Sequence, residues 1–250
     1  MATCLCSRSF LLVQIRLTHK SLRVQVSLHL HGLFVFFFIL ASDSISLFLF
    51  FTVEGGHLET LKWLKTQREF ELHELIFTSA CAGGHLKIVK WLRSEGCPWD
   101  GEACSNAAAH GKLEMLKWVR SEGYPWDQQT CAYAAAHGKL EILKWLRSEG
   151  CPWNASVCAI AATFDHLDMI KYAHENGCPW DEKTCERAAH ADRLDVLKYA
   201  RENGCPWDEG TSFWAAYRGN LDVLRWAIDN GCPYQVNSRT RPALQSLGLA

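Results

Sequence analysis

The 250-residue chain has little net charge, −1 from 26 basic and 27 acidic side chains. That balance argues against a protein built to hold a nucleic-acid backbone, which normally carries a marked basic excess. No Cys-x-x-Cys pair occurs, and Cys4-x-Cys6 is the only tight cysteine spacing, so the usual zinc-ligand patterns are missing. A Gly-x-Ser-x-Gly nucleophile turn and a phosphate-cradling Gly-rich loop are missing too. These absences point to no catalytic residues, no metal, no cofactor and no small-molecule substrate. Proline is scarce as well, at seven residues. Six of the seven, however, are placed with complete regularity.

Pro98-Trp99, Pro125-Trp126, Pro152-Trp153, Pro179-Trp180 and Pro206-Trp207 lie 27 residues apart, and Pro233-Tyr234 keeps the register. A fixed period of this size marks a stacked-repeat protein. Each unit opens on Asp100, Asp127, Asn154, Asp181 or Asp208, residue types whose side-chain oxygen can accept an orphan backbone N–H at a helix start. Helix A then runs about ten residues to a turn at Gly111, Gly138 or Gly219, with Asp165 and Asp192 in the same position elsewhere. Helix B follows, with Leu140, Ile142, Leu143, Trp145 and Leu146 as the wide apolar face of one example. It stops at Gly96, Gly123, Gly150, Gly177, Gly204 or Gly231, with proline two residues on. The expected fold is therefore all-α, a solenoid of stacked helix-turn-helix repeats.

Side chains that recur with the period build the stack. An Ala pair in helix A, such as Ala134-Ala135, lets neighbouring helices approach closely. Aromatic ladders in the loops and in helix B (Trp63, Trp91, Trp118, Trp145, Tyr172, Tyr199, Trp226) supply bulk between repeats. Most of the twelve cysteines obey the period too. One ladder is Cys97, Cys151, Cys178, Cys205 and Cys232, with Tyr124 in the vacant slot; the other is Cys104, Cys131, Cys158 and Cys185, followed by Ser212. Equivalent cysteines in neighbouring repeats stand too far apart to be disulfide-bonded, so buried free thiols in a reducing, cytoplasmic setting are expected. Cross-ladder pairs such as Cys97 with Cys104 stay open.

The unit resembles the ankyrin repeat. Residues 135–150, read in order from Ala135 through Gly138 to Gly150, are similar to that family's "AAxxGHLEVVKLLLxxGA", and His85-Leu86 and His57-Leu58 restore its Gly-His-Leu. The resemblance covers about residues 55–232. It implies an ankyrin-like solenoid and a role in binding protein partners. Two departures stand out. The unit has 27 residues against about 33 in the family, and the family's Thr-Pro-Leu-His opening survives only as Thr130-Cys131 or Thr184-Cys185. The shortfall falls where the family forms a hairpin finger, so short loops are expected here.

The chain divides into an N-terminal extension of residues 1–53, a monomeric array of about six and a half repeats over 54–234, and a capping segment, 235–250, with a short closing helix at Pro242–Leu247. The array begins in mid-repeat, because no Ala-Ala helix precedes the helix B that starts at Gly56. Residues 33–51 are apolar and long enough to be a transmembrane candidate, though Asp43 near their middle is costly. Three readings of the extension stay open: a segment foreign to the repeat protein, a membrane anchor, or a targeting peptide. If it is an anchor, the protein is a membrane-tethered adaptor.

The row Lys62, Lys90, Lys117, Lys144, Lys171, Lys198 and Arg225, with Arg93, Arg120, Arg147 and Arg201 beside it, reads as a solvated face paired with acids three residues earlier. Polyanion or nucleic-acid binding is the alternative. Function is sought where the repeats disagree. Two, six, and nine or ten residues after the capping position, helical spacing puts the side chains on one face, yet their chemistry swings widely. That face carries Glu102, Asn106 and His110; Gln129, Tyr133 and His137; Ser156, Ile160 and Phe164; Lys183, Arg187 and His190; and Gly210, Trp214, Tyr217 and Arg218, of which all but Ser156, His190, Gly210 and Tyr217 are the expected contacts. Its Tyr, Trp and Arg content is interface-like. The expectation is recognition of an unidentified protein partner through this helix-A face.

Overall fold

The computed structural model describes residues 4–7, 10–13, 45–67, 71–99 and 101–249. The chain forms two compact units, residues 1–52 and 53–250. In the first, strands β1 (Cys4–Ser7) and β2 (Phe10–Val13) pair antiparallel, with Cys4 opposite Val13. This pair lies before the array, whose described elements are all helices, as expected. Most of the apolar stretch 33–51 lies outside the described residues. Its described part opens α1 (Ile45–Glu54), ten residues long. Among the described residues no helix is long and apolar enough to cross a membrane, which takes about 20 residues.

The second unit is the array. Helix α2 (Leu58–Gln67) has the character of a helix B. Six A–B pairs follow: α3 (Glu74–Gly83) with α4 (Leu86–Ser94), α5 (Glu102–Ala109) with α6 (Leu113–Ser121), and α7 (Gln128–Ala136) with α8 (Leu140–Ser148). The series continues as α9 (Ser156–Thr163) with α10 (Leu167–Glu175), α11 (Glu182–His190) with α12 (Leu194–Glu202), and α13 (Glu209–Arg218) with α14 (Leu221–Asp229). Helix α15 (Arg241–Ser246) closes the array with Pro242 in its first turn. Asn237 prepares it by accepting the Arg239 and Thr240 backbone N–H groups.

Local chemistry sets each boundary. Asp127 accepts the Gln129 N–H at 2.8 Å, Asn154 the Ser156 N–H at 3.1 Å, and Asp208 the Gly210 N–H at 2.9 Å. Asp181 departs from the expected cap: its side chain makes no capping bond. Asp100 lies outside the described residues. Helix B ends by a left-handed residue, as at Gly150 (φ 79°). The next N–H groups return to the last turn, Gly150 to the Arg147 carbonyl and Cys151 to that of Leu146. Asp165 and Asp192 take the left-handed turn after helix A at φ 65° and 61°, a conformation that Asp tolerates better than most residues.

Successive A helices run side by side at close backbone range, as the buried Ala pairs allow (Ala107-Ala108, Ala134-Ala135, Ala161-Ala162, Ala188-Ala189). The B helices fill the remaining space with a narrower face than expected. Ile142, Leu143 and Leu146 are buried, whereas Leu140 and Trp145 are half-buried. Trp145 meets Trp126 edge-to-face at 5.8 Å, and the pairs Trp153–Tyr172, Trp180–Tyr199 and Trp207–Trp226 repeat the contact. These four loop tryptophans thus pack on the helix B that follows them, whereas Trp99 packs on Tyr124.

Ten cysteines, from Cys81 to Cys232, are buried and form no disulfide. The loop thiol closes its repeat by donating back to the capping residue's carbonyl: Cys151 to Asp127, Cys178 to Asn154 and Cys205 to Asp181, each at 3.4 Å, and Cys232 to Asp208 at 3.3 Å. No cross-ladder disulfide forms among these ten, Cys97 with Cys104 included. The thiols of Cys131 and Cys151, Cys158 and Cys178, and Cys185 and Cys205 instead interact as hydrogen-bonded pairs. The hydrogen bond and burial together hold the Cys151, Cys158 and Cys185 thiols protonated. Where Tyr124 replaces cysteine, its buried ring stacks on Phe77 at 5.4 Å and leaves its hydroxyl without a partner.

Replacing Gly150 by Ala should cost about 1 kcal/mol, because a Cβ is disfavoured at this φ. Asp192→Gly should change stability by less than about half of that, since the Cβ strain it relieves offsets the added unfolded-chain freedom. Urea midpoints of the two variants measured against the parent chain test the contrast.

Candidate functional site

All twelve helix-A residues expected at the interface lie outside the core. Nine are exposed, and Asn106, Ile160 and Trp214 are half-buried. The helix repeat produces this: the Ala pair and the flanking Cys and Thr turn inward, leaving the second, sixth and ninth or tenth positions outward. Tyr133 and Phe164 are large apolar side chains at 43% and 53% exposure. Neighbouring repeats join into one stripe. The His110 and His137 rings stack at 6.2 Å, and His190 meets Trp214 edge-on at 5.2 Å. His110 and His137 are each held against their own helix by a 3.0 Å bond from Nδ1 to the carbonyl four residues back.

The two ends of the stripe differ. At the N-terminal end, Glu102, Asn106, Gln129 and Tyr133 line a cleft of about 260 Å³ together with Trp126 and Asp127. Four expected residues are thereby brought to one concavity. Glu102 and Trp214 are not brought together, for they are four repeats apart. At the C-terminal end, Trp214 packs with Phe213 at 5.3 Å and Tyr217 at 5.8 Å, and the Arg239 guanidinium lies 6.0 Å from the Tyr217 ring centre. His190 and Tyr217 belong to the expected face beside the twelve, whereas Phe213 and Arg239 do not. Phe213 had a signal available in its size. The equivalent positions hold the buried Ser105, Ala132 and Ala159 and the half-buried Glu186, so the slot has no room for a phenyl ring inside and Phe213 is half-buried. Arg239 belongs to the closing segment, and no periodicity pointed to it.

Charge is distributed just as unevenly. Lys62, Lys117 and Lys144 pair with Glu59, Glu114 and Glu141 at 3.1, 2.9 and 2.8 Å. The arginine row is also engaged within the array. Arg147 donates to the Cys151 carbonyl at 2.6 Å and lies 4.0 Å over Trp153, while Arg201 makes the same pair of contacts with Cys205 and Trp207. In the repeat between them, His174 stacks on Trp180 at 3.9 Å. The helix-B basic rows are therefore largely part of the scaffold. On helix A, by contrast, Arg187 and Arg218 form no ion pair among the described residues. Both press on His190: burial first, then Arg218 and Arg187, lowers its pKa. Glu186 shares α11 but faces elsewhere, against Gly210. Burial, then Asp208 and Glu182, raises its pKa.

The thiols shift in both directions: a hydrogen bond with Cys151 lowers the pKa of the buried Cys131, against the effect of burial. Burial pushes Cys97 and Cys104 up to about 11, far from the thiolate a nucleophile needs. Among the described residues, no group of three or more His, Cys, Asp or Glu is placed to hold a metal ion.

The raised Glu186 pKa carries a sign that can be tested. The folded state binds the proton more readily than the unfolded chain, so this group's favourable contribution is present at acid pH and lost as pH rises through the folded pKa. Glu186→Gln should therefore raise the melting temperature at neutral pH. The gain should vanish below the ordinary glutamate range, as read by thermal melts across pH.

No protein-family model matches the sequence, and no curated protein matches it either. Among solved structures, the chain is similar to the crystal structure of the human ASB11 ankyrin repeat domain. The TM-score is 0.54 at 18% identity, covering 70% of this chain and 90% of that one. The fold is thus that of an ankyrin repeat solenoid, with helices joined by short loops and no hairpin fingers in the described part of the array.

Proposed function

We propose that this chain is a non-enzymatic scaffold that holds a protein partner against the outward face of its A helices. One observation carries the reading. Residues as different as Tyr133, Ile160, Arg187 and Trp214 occupy the same position in successive repeats, and all stay out of the core. The buried positions of the same helices hold small side chains, Ala, Cys, Thr, Ser and Val157. A surface whose identity is freed from the fold in this way, and joined between repeats at His110–His137 and His190–Trp214, suits recognition. Protein binding is the general use of an ankyrin scaffold, and the buried free thiols agree with a reducing, cytoplasmic setting.

Polyanion binding is weaker support for the same surface features, because most described members of the helix-B basic rows are spent on Glu partners, aromatic rings and loop carbonyls. A membrane-tethered form would rest on residues 33–51 alone.

Tyr133→Ala, Arg187→Ala and Trp214→Ala combined should abolish capture of the partner by affinity pull-down from cells. Far-UV circular dichroism should match the parent. Melting should fall by only a few degrees, mainly through half-buried Trp214. Retained capture, or collapse of the fold, would remove this face from the interface.

A further inference from the structure

The end of the helix-A stripe is built unlike the rest. Arg187 and Arg218 are both exposed, and each leaves its guanidinium without a carboxylate among the described residues. Between them lie His190 and Trp214, in edge-on contact at 5.2 Å. Tyr217, 52% exposed, continues the aromatic surface toward Arg239. Glu186, which shares α11 with Arg187, lies against Gly210 at the start of α13, whereas Arg218 is at its end. Cationic groups bracketing exposed aromatic rings are complementary to an anion beside an apolar side chain.

We infer that this corner is the specificity subsite for an acidic segment of the partner, which sets one or more Asp or Glu carboxylates on Arg187 and Arg218 and lays an adjacent apolar residue on Trp214 and Tyr217. The inference rests on the helix-A face being the interface. A carboxylate suits the corner better than a phosphate. Arg187 and His190 sit in the last turn of α11 and Arg218 ends α13. The negative ends of two helix dipoles therefore face the site, and they oppose a dianion more than a monoanion. Phe164 lies two repeats before Arg218. At roughly 8–10 Å per repeat, an extended stretch of about six residues at ~3.3 Å each spans the gap. The ligand is thus a short linear segment with an apolar residue for Phe164 at one end and acids at the other.

A random octapeptide library displayed on phage and panned against the full chain tests this. The parent should enrich peptides in which Asp or Glu adjoins an aromatic or aliphatic residue. A selected peptide should lose about tenfold or more in affinity when its acids become Asn or Gln. Arg187→Glu with Arg218→Glu should lose the same peptide, keep the parent's melting temperature, and enrich basic peptides instead. Three results would each overturn the assignment: enrichment without acids, the same enrichment in the charge-reversed variant, or no enrichment. Tighter binding of a phosphoserine version of the peptide, or its displacement by a single-stranded oligonucleotide, would also overturn it. The wider proposal fails separately. If Tyr133→Ala with Phe164→Ala leaves capture of the cellular partner intact, the face itself is wrong. If that pair abolishes capture while charge reversal at Arg187 and Arg218 does not, only the acidic subsite falls.

Discussion

The close approach of successive A helices is the constraint from which most of this molecule follows. It is possible only because the inward positions are alanine, with cysteine, serine or threonine beside them, all buried. A larger side chain at an Ala position would have to displace a neighbouring backbone, and overpacking of that kind costs roughly 1–3 kcal/mol. Bulk is consequently displaced to the B layer and to the loop tryptophans. The outward positions of helix A are left with no packing duty. The same constraint that fixes the inner face of the helix is what allows its outer face to vary, and so to carry recognition.

Short loops impose a second requirement. Between helix B and the next helix A there are too few residues for a finger, so the chain must turn tightly and be held. The thiol latch does this by tying each loop cysteine to the capping residue's carbonyl 24 positions earlier. A thiol suits the place because it is small, apolar and a weak donor. Ser212 shows that the partner slot tolerates a hydroxyl, which donates to the Pro233 carbonyl at 2.6 Å. Tyr124 shows a different solution, in which ring stacking replaces the latch.

Much of this was legible from spacing alone. Gly150 and Asp165 announced left-handed turns, Asp127 and Asp208 announced caps, and the 27-residue period announced the stack. What escaped has physical reasons. Asp181 has the right identity for a cap but makes no capping bond, since residue type gives the capacity and not the rotamer. Leu140 and Trp145 belong to an apolar periodicity but sit at its edge, because period locates the centre of a face better than its width. Arg147 and Arg201 looked like surface charge, yet their partners are a carbonyl and a ring four to six residues on, across a turn whose geometry the sequence does not display. The β1–β2 pair falls in a segment with no repeat against which to read it.

The candidate face was visible as positions of disagreement, but its polarity was not. Lys144 and Arg187 are equally basic in the sequence. In the fold, one is paired with Glu141 at 2.8 Å while the other has no acid partner among the described residues. Exposed ion pairs are worth little to stability, so pairing at the lysine row does little to hold the array together. What it does is cancel charge on that surface. Leaving Arg187 and Arg218 uncancelled beside Trp214 and Tyr217 concentrates unspent electrostatic attraction at one end of a stripe whose middle, at Ile160 and Phe164, is apolar. A ligand that meets both requirements has a direction along the stack: an apolar residue toward Phe164 and an acid toward α13. The array can therefore fix a partner's orientation as well as its position, something a uniform repeat surface could not do.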